Sequence, residues 1–448
     1  KLANPVHKAV ISDGGDGVPY LDGAVAVKVI GNTLFSLSRT SHALEIYDVT
    51  DPSTPSRIGG IVSGVGGTSF SSPVDLDISG NYVYIVNATD DLQIIDISDK
   101  ANPTHAGYVT HANIAVLTAI DIQGNYAYLS DADNTAMHVV DISDPHNPEY
   151  LSQLAFSDDV ADIFVQGNQA YVVTNGNDLR IVDISDPKNI TEVGSVTNAT
   201  TLDDPQSVIV EGNYAYVVFN GSVAGDGLTM VDISDPTSPT TTGSIVDSDG
   251  ASITLDGADD VFVSGDYAYI TARTDDAVVI VDITSSTNPT FVGQIDDADT
   301  DVDMNGPTDI VVRGNYAFVA ARDGSTIEII DVTGADISNA EIGTAQIANL
   351  DVLGRAEFGN GVHVRNGLHI GNNGLLVGGD LGIYANSTST SATNTLRFSH
   401  TAYLTSQVTS TAANTFIFDT ENERTAGNLL SVKNNSSEKF VVTYDGKV

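Results

Sequence analysis

Oxygen-bearing side chains occur in one segment at a spacing that suits a hard metal ion. In residues 299–305 such side chains alternate with other residues, and Gly306 follows; the donors are Asp299, Asp301, Asp303 and Asn305. Calcium in proteins is bound by carboxylate and amide oxygens, and loops that begin with this spacing wrap around it. The distal Glu of an EF-hand is missing. We therefore predict a calcium site here, with a solvated acidic loop as the alternative.

Two other acidic loops are weaker calcium candidates. The first contains Asp13, Asp16 and Asp22, and the second contains Asp247, Asp249 and Asp256. Both place short carboxylates beside glycines, and Asp in such loops bonds either a cation or nearby backbone amides. Calcium is accordingly the cofactor that the sequence predicts.

A further set of carboxylates recurs five residues before the glycine of a repeated motif. Its members are Asp75, Asp162, Asp260 and Asp309, and the other three copies have Ala26, Ala119 and Ser207. If the strands that carry them line a channel, the four carboxylates crowd one rim, where they bind cations or acquire raised pKa values. The alternative is that each Asp accepts hydrogen bonds from backbone amides.

Motifs of catalytic centres are missing from the sequence. It contains no Gly-x-Ser-x-Gly elbow, no His-Glu-x-x-His and no phosphate-binding Gly-Lys-Ser/Thr loop. Without Cys it has neither disulfides nor Cys-ligated metal centres. We predict that the protein is not an enzyme. The alternative is a polysaccharide-acting enzyme that uses the rim carboxylates as acid and base, although only Tyr is available for stacking on sugars because Trp is absent.

The elements that position these residues are copies of one repeat. The pattern Gly-Asn-Tyr-Ala-Tyr, or a close variant, begins at Gly80, Gly124, Gly167, Gly212, Gly265 and Gly314, with a worn copy at Gly31. Each copy is followed by an apolar run ending in Asp, and these Asp residues are 42 to 50 positions apart. We expect these Asp side chains, such as Asp96, to bond backbone amides of the next loop. The repeat length and its four short strand patterns predict a seven-bladed β-propeller.

The ends of the repeats indicate how the ring closes. Every copy except the last continues through a Pro into a further strand, for example residues 289–295. The seventh copy ends at Gly334 without one, whereas residues 5–11 have the missing pattern. We predict that the N-terminal strand completes the seventh blade, since an open ring would expose strand edges.

The repeat signatures resemble a known family. Gly-Asn-Tyr-Ala-Tyr and Ile-Val-Asp-Ile-Ser-Asp-Pro are similar to motifs of LVIVD-repeat proteins, which are bacterial and archaeal surface or secreted propellers. The resemblance covers about residues 1–334. It implies an extracellular β-propeller and supplies no catalytic residues.

The remainder of the chain has a different pattern. Residues 335–385 contain apolar doublets every five to seven positions, which predicts a β-helical or interwound fibre shaft. Eight such steps are few for a single-chain stack, so we expect a homotrimer through residues 335–448. Residues 386–448 are predicted to form a β-rich fibre domain. Segments after residue 416 resemble phage and prophage tail fibres.

Charge restricts the partners. The chain has 18 Lys or Arg against 59 Asp or Glu, a net charge of −41, and the first 334 residues hold −38 of it. This polyanion excludes nucleic acid as a partner and disfavours anionic membranes, and no stretch is apolar enough for membrane insertion. We predict an extracellular fibre or adhesin subunit that binds a receptor or glycan, on a phage-like virion. The alternative is a cell-surface filament or S-layer adhesin.

Overall fold

The protein is described by a computed structural model that covers residues 5–14, 20–223, 225–247, 253–299 and 301–332, and two short strands near the C terminus. All regular elements in these ranges are β-strands. Among them there is no helix that is long and apolar enough to cross a membrane. The predicted all-β class is confirmed for this part of the chain.

The strands are grouped as seven four-stranded antiparallel sheets, each a blade. The chain begins with β1 (Val6–Ser12). Blade one is β2 (Ala24–Ile30), β3 (Thr33–Ser38), β4 (Ala43–Asp48) and β5 (Ser56–Val62). Blade two is β6 (Pro73–Ser79), β7 (Tyr82–Asn87), β8 (Asp91–Asp96) and β9 (Thr104–Thr110). Blade three is β10 (Leu117–Gln123), β11 (Tyr126–Asp131), β12 (Ala136–Asp141) and β13 (Glu149–Ala155).

The remaining blades repeat this arrangement. Blade four is β14 (Val160–Gln166), β15 (Gln169–Thr174), β16 (Asp178–Asp183) and β17 (Thr191–Thr197). Blade five is β18 (Pro205–Glu211), β19 (Tyr214–Phe219), β20 (Gly227–Asp232) and β21 (Thr240–Val246). Blade six is β22 (Ala258–Ser264), β23 (Tyr267–Ala272), β24 (Ala277–Asp282) and β25 (Thr290–Asp296). Blade seven has β26 (Pro307–Arg313), β27 (Tyr316–Ala321) and β28 (Thr326–Asp331).

Blade seven takes its outermost strand from the start of the chain. The strand order is β26, β27, β28 and then β1, and β1 pairs antiparallel with β28 so that Ile11 lies opposite Ile327. Ile11 is buried in the cluster that also contains Ile327 and Ile329. The predicted seven-bladed ring closed by the N-terminal strand is therefore confirmed.

The repeated sequence motif has two structural roles in each blade. Its glycine begins the turn between the first and second strands with φ between 57° and 66° in all seven copies, and nothing lies near the place of a Cβ. Backbone conformation, not space, therefore selects glycine here. The Asp that ends the third strand accepts a hydrogen bond from the amide two residues later at 2.8–2.9 Å in blades one to six. The expected structural role of Asp96 and its equivalents is confirmed.

The core consists of seven apolar clusters between neighbouring blades. The second and third strands are buried almost throughout, because each blade packs against a blade on both sides. Between blades one and two, for example, Leu37 and Ile46 pack with Val83 and Ile85. This packing fixes the innermost strands, whose side chains then line the central channel.

Two strands of the C-terminal region are described, β29 (Asn428–Asn434) and β30 (Ser437–Thr443), which pair antiparallel. They belong to a compact unit separate from the propeller. The predicted shaft, at residues 335–385, lies outside the described residues, as does most of the predicted fibre domain.

Candidate functional site

The innermost strands share a bulge that directs one residue of each blade into the channel. In all seven, the pairing register with the second strand is broken near the start of the inner strand, as between Pro73 and Asp75. Bulges redirect side chains and free a backbone amide from the ladder. The positions at this break carry Ala26, Asp75, Ala119, Asp162, Ser207, Asp260 and Asp309. We call the four Asp residues the carboxylate ring.

Each carboxylate of the ring bonds the backbone of the next blade. Oδ2 accepts a hydrogen bond from the amide one position beyond the equivalent residue there: Ile120 N to Asp75 at 2.8 Å, Val208 N to Asp162 at 2.8 Å, Ile310 N to Asp260 at 3.0 Å and Val27 N to Asp309 at 2.6 Å. The structure thus brings the four predicted rim residues to one level of the channel. It also gives each the backbone bond of the alternative hypothesis, although the amide lies in the neighbouring blade.

The second oxygen of three ring members is also engaged. Oδ1 of Asp75 accepts from Leu76 N and Oδ1 of Asp162 from Ile163 N, both at 2.7 Å. Oδ1 of Asp260 accepts from the Ser207 hydroxyl at 2.8 Å. The ring therefore links the blades to each other, and most of its acceptor capacity is used within the fold.

Burial changes the ionisation of the ring. It raises the pKa of Asp75 to about 6 and that of Asp162 to about 8. Burial, the charge of Asp260 and a hydrogen bond to that carboxylate raise the pKa of Asp309 well above its usual range. Asp162 is therefore mostly protonated at neutral pH. Asp260 and Asp309 lie at equivalent positions of adjacent blades, close enough for the charge of Asp260 to act on Asp309.

A second charged layer lies two residues further along the inner strands. Lys28 Nζ is 3.0 Å from Asp77 Oδ1, and Asp77 and Asp121 each accept an amide from the next blade. Burial and the Asp77 charge raise the pKa of Asp121 to about 7. Burial alone would lower the pKa of Lys28, but its acidic neighbours, Asp77 first, raise it. Sequence reasoning missed this layer, although the two-residue alternation of a strand places these residues on the channel face.

The channel opens into a pocket at the end where the inner strands begin, which we call the mouth. Its volume is about 530 Å³, and the carboxylate ring is part of its lining. Arg39, Asp159, Asn175, Asp204 and Asp259 surround it. Burial raises the pKa of Asp259 to about 6, with Arg273 and Arg322 acting in the opposite direction. The mouth is thus polar and carries both signs of charge.

Among the described residues, one group of three carboxylates is close enough to hold a metal ion. Ligand oxygens of Asp247, Asp256 and Asp275 all lie within 4.8 Å of one another. Asp247 and Asp256 were predicted, Asp249 lies outside the described residues, and Asp275 was missed because it comes from another turn of the chain. Two of the carboxylates also accept backbone amides, Leu255 N on Asp247 and Asp256 N on Asp275. The group could therefore hold calcium or act only in capping the loop.

The other predicted calcium ligands occupy equivalent loops before blades seven and one. Asp299 Oδ2 accepts from Asp296 N at 3.2 Å, and Asp303 N donates to Glu328 Oε1 at 3.1 Å. Asp299, Asp301 and Asp303 do not form a three-carboxylate group in the described part of this loop, and Asn305 is exposed beside them.

The loop before blade one uses its acids in the same way. Asp13 Oδ1 accepts from Leu21 N and Asp22 Oδ1 accepts from the Ser325 hydroxyl, both at 3.1 Å. Asp16 lies outside the described residues. In each of these two loops at least one carboxylate is engaged by a hydrogen bond within the protein, and calcium there stays a prediction.

Seven four-stranded blades around a channel define the β-propeller class. The family model named LVIVD repeat matches residues 73–111, 118–153, 158–198, 204–247, 257–297 and 307–340, so the chain belongs to the LVIVD repeat family. Blade one, whose motif is worn, lies outside the matched residues. Among curated proteins, none has a sequence that matches this chain significantly.

Solved structures share the fold at low sequence identity. The β-propeller domain of Swd1 from Myceliophteria thermophila is 13% identical with a TM-score of 0.57, over 73% of this chain and 100% of that one. The computationally designed protein Ika8 is 12% identical with a TM-score of 0.50, over the same shares. A putative 6-phosphogluconolactonase from Bacteroides fragilis is 12% identical with a TM-score of 0.51, over 60% of this chain and 83% of that one. These similarities concern the fold alone.

Proposed function

We propose that the propeller is a non-catalytic binding module of an extracellular fibre or adhesin, and that its mouth face recognises a receptor or surface glycan. The observation that carries this proposal is the pocket of about 530 Å³ at the mouth. Its size is that of ordinary ligand pockets, and its polar lining suits a hydroxyl-rich ligand better than an apolar one.

Side chains at the mouth supply the hydrogen-bonding groups. Within the described residues the side chains of Asp159 and Asn175 make no hydrogen bond to the protein, so they are available to a ligand. Arg39 adds a donor of fixed geometry. Protonation of Asp162 reduces the negative charge at the floor of the mouth pocket.

The engagement of the carboxylate ring supports binding rather than catalysis. A nucleophile or base needs a free oxygen directed at the substrate. In Asp75 and Asp162 both oxygens accept backbone amides. Their replacement would disturb contacts between blades before it affected any reaction.

One observation favours the polysaccharide-acting enzyme as a second candidate. Asp260 and Asp309 lie in adjacent blades, and burial and the charge of Asp260 raise the pKa of Asp309. An acid beside a base is the requirement of glycoside hydrolysis. Under this alternative, D260N and D309N each abolish the release of reducing ends from a polysaccharide. Product formation that survives both substitutions removes the alternative.

The proposed fibre would carry several copies of the binding site. A homotrimeric shaft in residues 335–448 would present three mouths on one particle, and linked sites bind a repetitive surface far more tightly than a single site does. This part of the proposal rests on the sequence pattern, because the shaft lies outside the described residues.

The binding proposal is tested with the full chain on an array of bacterial surface glycans. Asn175→Ala at the mouth should weaken binding about 3- to 10-fold, the effect of one lost hydrogen bond. Asn168→Ala, in a turn on the opposite face, is the matched control and should bind normally. If no glycan or cell surface binds, or if both variants behave alike, the mouth is not the recognition site.

A further inference from the structure

Three neighbouring blades share a loop on the mouth face that the other four lack. Blades six, seven and one combine a tripeptide before the inner strand with an arginine directly after the second strand: 255–257 with Arg273, 304–306 with Arg322, and 21–23 with Arg39. In blades two to five the arginine position holds Ala88, Ala132, Asn175 and Asn220. The ring of blades is therefore asymmetric at its mouth, with a cationic arc on one side.

The shared loop holds each arginine backbone in place. Arg39 N donates to Gly23 O at 2.8 Å, and the same bond joins Arg273 to Gly257 and Arg322 to Gly306. Gly23 has φ of 70°, and a Cβ there would overlap Thr40, so glycine is required on grounds of conformation and of space. The arginines consequently occupy equivalent positions on three successive blades.

The arginines of the arc make few direct polar contacts with the protein, although Arg273 and Arg322 both act on the charge of nearby Asp259. In a chain of net charge −41, Arg39 and Arg273 make no ion pair and no side-chain hydrogen bond within the described residues. Arg322 has one exposed contact, from Nε to Asp323 Oδ1 at 3.3 Å. By contrast, Arg180 pairs with buried Asp178 at 2.7 Å. The arc thus leaves guanidinium donors exposed to a ligand.

Two of these arginines line one depression. Its volume is about 690 Å³, and Arg39 and Arg322 face it together with Thr40, His42 and Ser72. His42 Nδ1 is buried and has no hydrogen-bond partner among the described residues. We call this depression the Arg pocket. Arg39 also lines the mouth pocket, so the two sites are contiguous.

The acids of the Arg pocket decide which anion suits it. Asp22 accepts the Ser325 hydroxyl at 3.1 Å, and Asp323 accepts Arg322. Both remain negative groups in the lining, and they would repel a doubly charged phosphate more than a singly charged carboxylate. Their remaining lone pairs can accept hydroxyl groups of a sugar ring. Guanidinium groups bind a planar carboxylate through two parallel hydrogen bonds.

We propose that the Arg pocket binds the carboxylate of an acidic saccharide, a uronic acid residue, whose neighbouring sugars enter the mouth. This inference rests on the proposed glycan-binding function and names its ligand class. Arg39 and Arg322 hold the carboxylate, and Thr40 and Ser72 contact ring hydroxyls. A neutral saccharide would leave the two guanidinium groups without their anion.

The test compares uronic acid oligosaccharides with their carboxyl-reduced forms. The full chain is titrated calorimetrically with glucuronate-, galacturonate- and mannuronate-containing oligosaccharides and with the matching neutral sugars. We expect at least one acidic form to bind ten times or more tighter than its reduced form. Arg39→Gln and Arg322→Gln should each weaken the acidic form about 10- to 100-fold. Arg322→Gln should leave neutral sugars unchanged, because Arg322 lines the Arg pocket and is not part of the mouth lining. Lys188→Gln, on the opposite face, is the charge-matched control and should have no effect.

A conservative variant separates recognition from misfolding. Arg39→Lys keeps the charge but loses the two-pronged geometry, so it should retain the melting temperature and lose most of the preference for the acid. Equal binding of acidic and reduced forms, or equal effects of Arg39→Gln and Lys188→Gln, overturns the Arg pocket and leaves the glycan-binding proposal standing. Absence of binding to any saccharide overturns both.

Discussion

Asp309 in the inner strand of blade seven accepts a hydrogen bond from the backbone amide of Val27 in blade one, at 2.6 Å and across 282 positions of the chain. The same two ends of the propeller meet again at its outside, where β1 pairs with β28. The ring is thus closed twice, by a carboxylate at the channel and by a strand at the periphery. The strand closure can be tested at β1 itself, and the carboxylate contact can be tested at its equivalent between blades four and five.

The outer closure depends on one buried side chain. Ile11 is 7% exposed in the cluster between blades seven and one, whereas Val10 beside it is 39% exposed. Ile11→Ala should lower the free energy of unfolding by about 2–4 kcal/mol, because it leaves a cavity in the core. Val10→Ala should change it by less than about 1 kcal/mol. Urea unfolding measures both free energies. An effect of Ile11→Ala no larger than that of Val10→Ala would mean that the buried contact of β1 does not contribute to stability.

The equivalent contact between blades four and five is tested at Asp162, whose two oxygens accept Ile163 N and Val208 N. Asp162→Ala leaves both amides without their acceptor and should cost about 1–3 kcal/mol in the free energy of unfolding. Asp162→Asn keeps an acceptor and removes a charge that is already neutralised at pH 7, so it should cost less than half as much. If alanine and asparagine are equally tolerated in thermal melts, the ring does not hold the blades together.

The propeller could be predicted from the sequence because the residues that define each blade act on near neighbours in the chain and recur in every repeat. The glycine of each hairpin has positive φ, as at Gly80, and the Asp at the end of each third strand bonds a neighbouring amide, as at Asp96. The missing strand of blade seven could be placed from its Pro-containing pattern. These features need no knowledge of contacts between distant residues.

The site could be predicted only in part, since contacts between blades are not local. Repeat alignment brought Asp75 and Asp162 to one level, but it could not show that their partners are amides of the next blade. Asp275 joins Asp247 and Asp256 from the turn of another hairpin, and no spacing within a loop reveals that. The arginine arc is present in the sequence of only three of the seven repeats. A search for the motif that all repeats share therefore does not detect it.

The predicted trimer is tested by light scattering. The full chain should give a particle of three times 46.8 kDa, because the doublets of residues 335–385 are too few for a single-chain stack. A fragment ending at residue 334 should give a monomer, which assigns the association to the C-terminal region. A monomeric full chain would remove the avidity from the proposed function.

Calcium is tested at the three-carboxylate group. If it binds there, CaCl₂ should raise the melting temperature and EDTA should lower it, because a ligand of the folded state stabilises that state. Asp256→Asn should abolish the response, and it disturbs little because Asp256 is exposed. Asp186→Asn, in a loop on the opposite face, is the control and should respond like the unmodified chain. A melting temperature that changes with neither CaCl₂ nor EDTA contradicts the prediction.

Buried acids of the propeller predict that it is most stable below neutral pH. Burial raises the pKa of Asp162 to about 8, of Asp121 and Glu328 to about 7, and of Asp75 to about 6. In the unfolded chain these groups release their protons near pH 4. The folded state therefore holds more protons between pH 4 and 8, and this contribution to stability is complete below pH 4 and lost as the pH rises through 6–8.

Exposed turn residues act in the opposite direction at low pH. A hydrogen bond from Ser185 lowers the pKa of Asp183, so its contribution is present above about pH 4 and lost as the pH falls further. The melting temperature should peak near pH 5 and fall by on the order of 5 °C by pH 8. Asp162→Asn should flatten the alkaline limb, whereas Asp183→Asn should affect only the acidic limb. Calorimetric scans from pH 3 to 9 measure this, and a maximum at pH 8 would show that the buried acids are ionised in the fold.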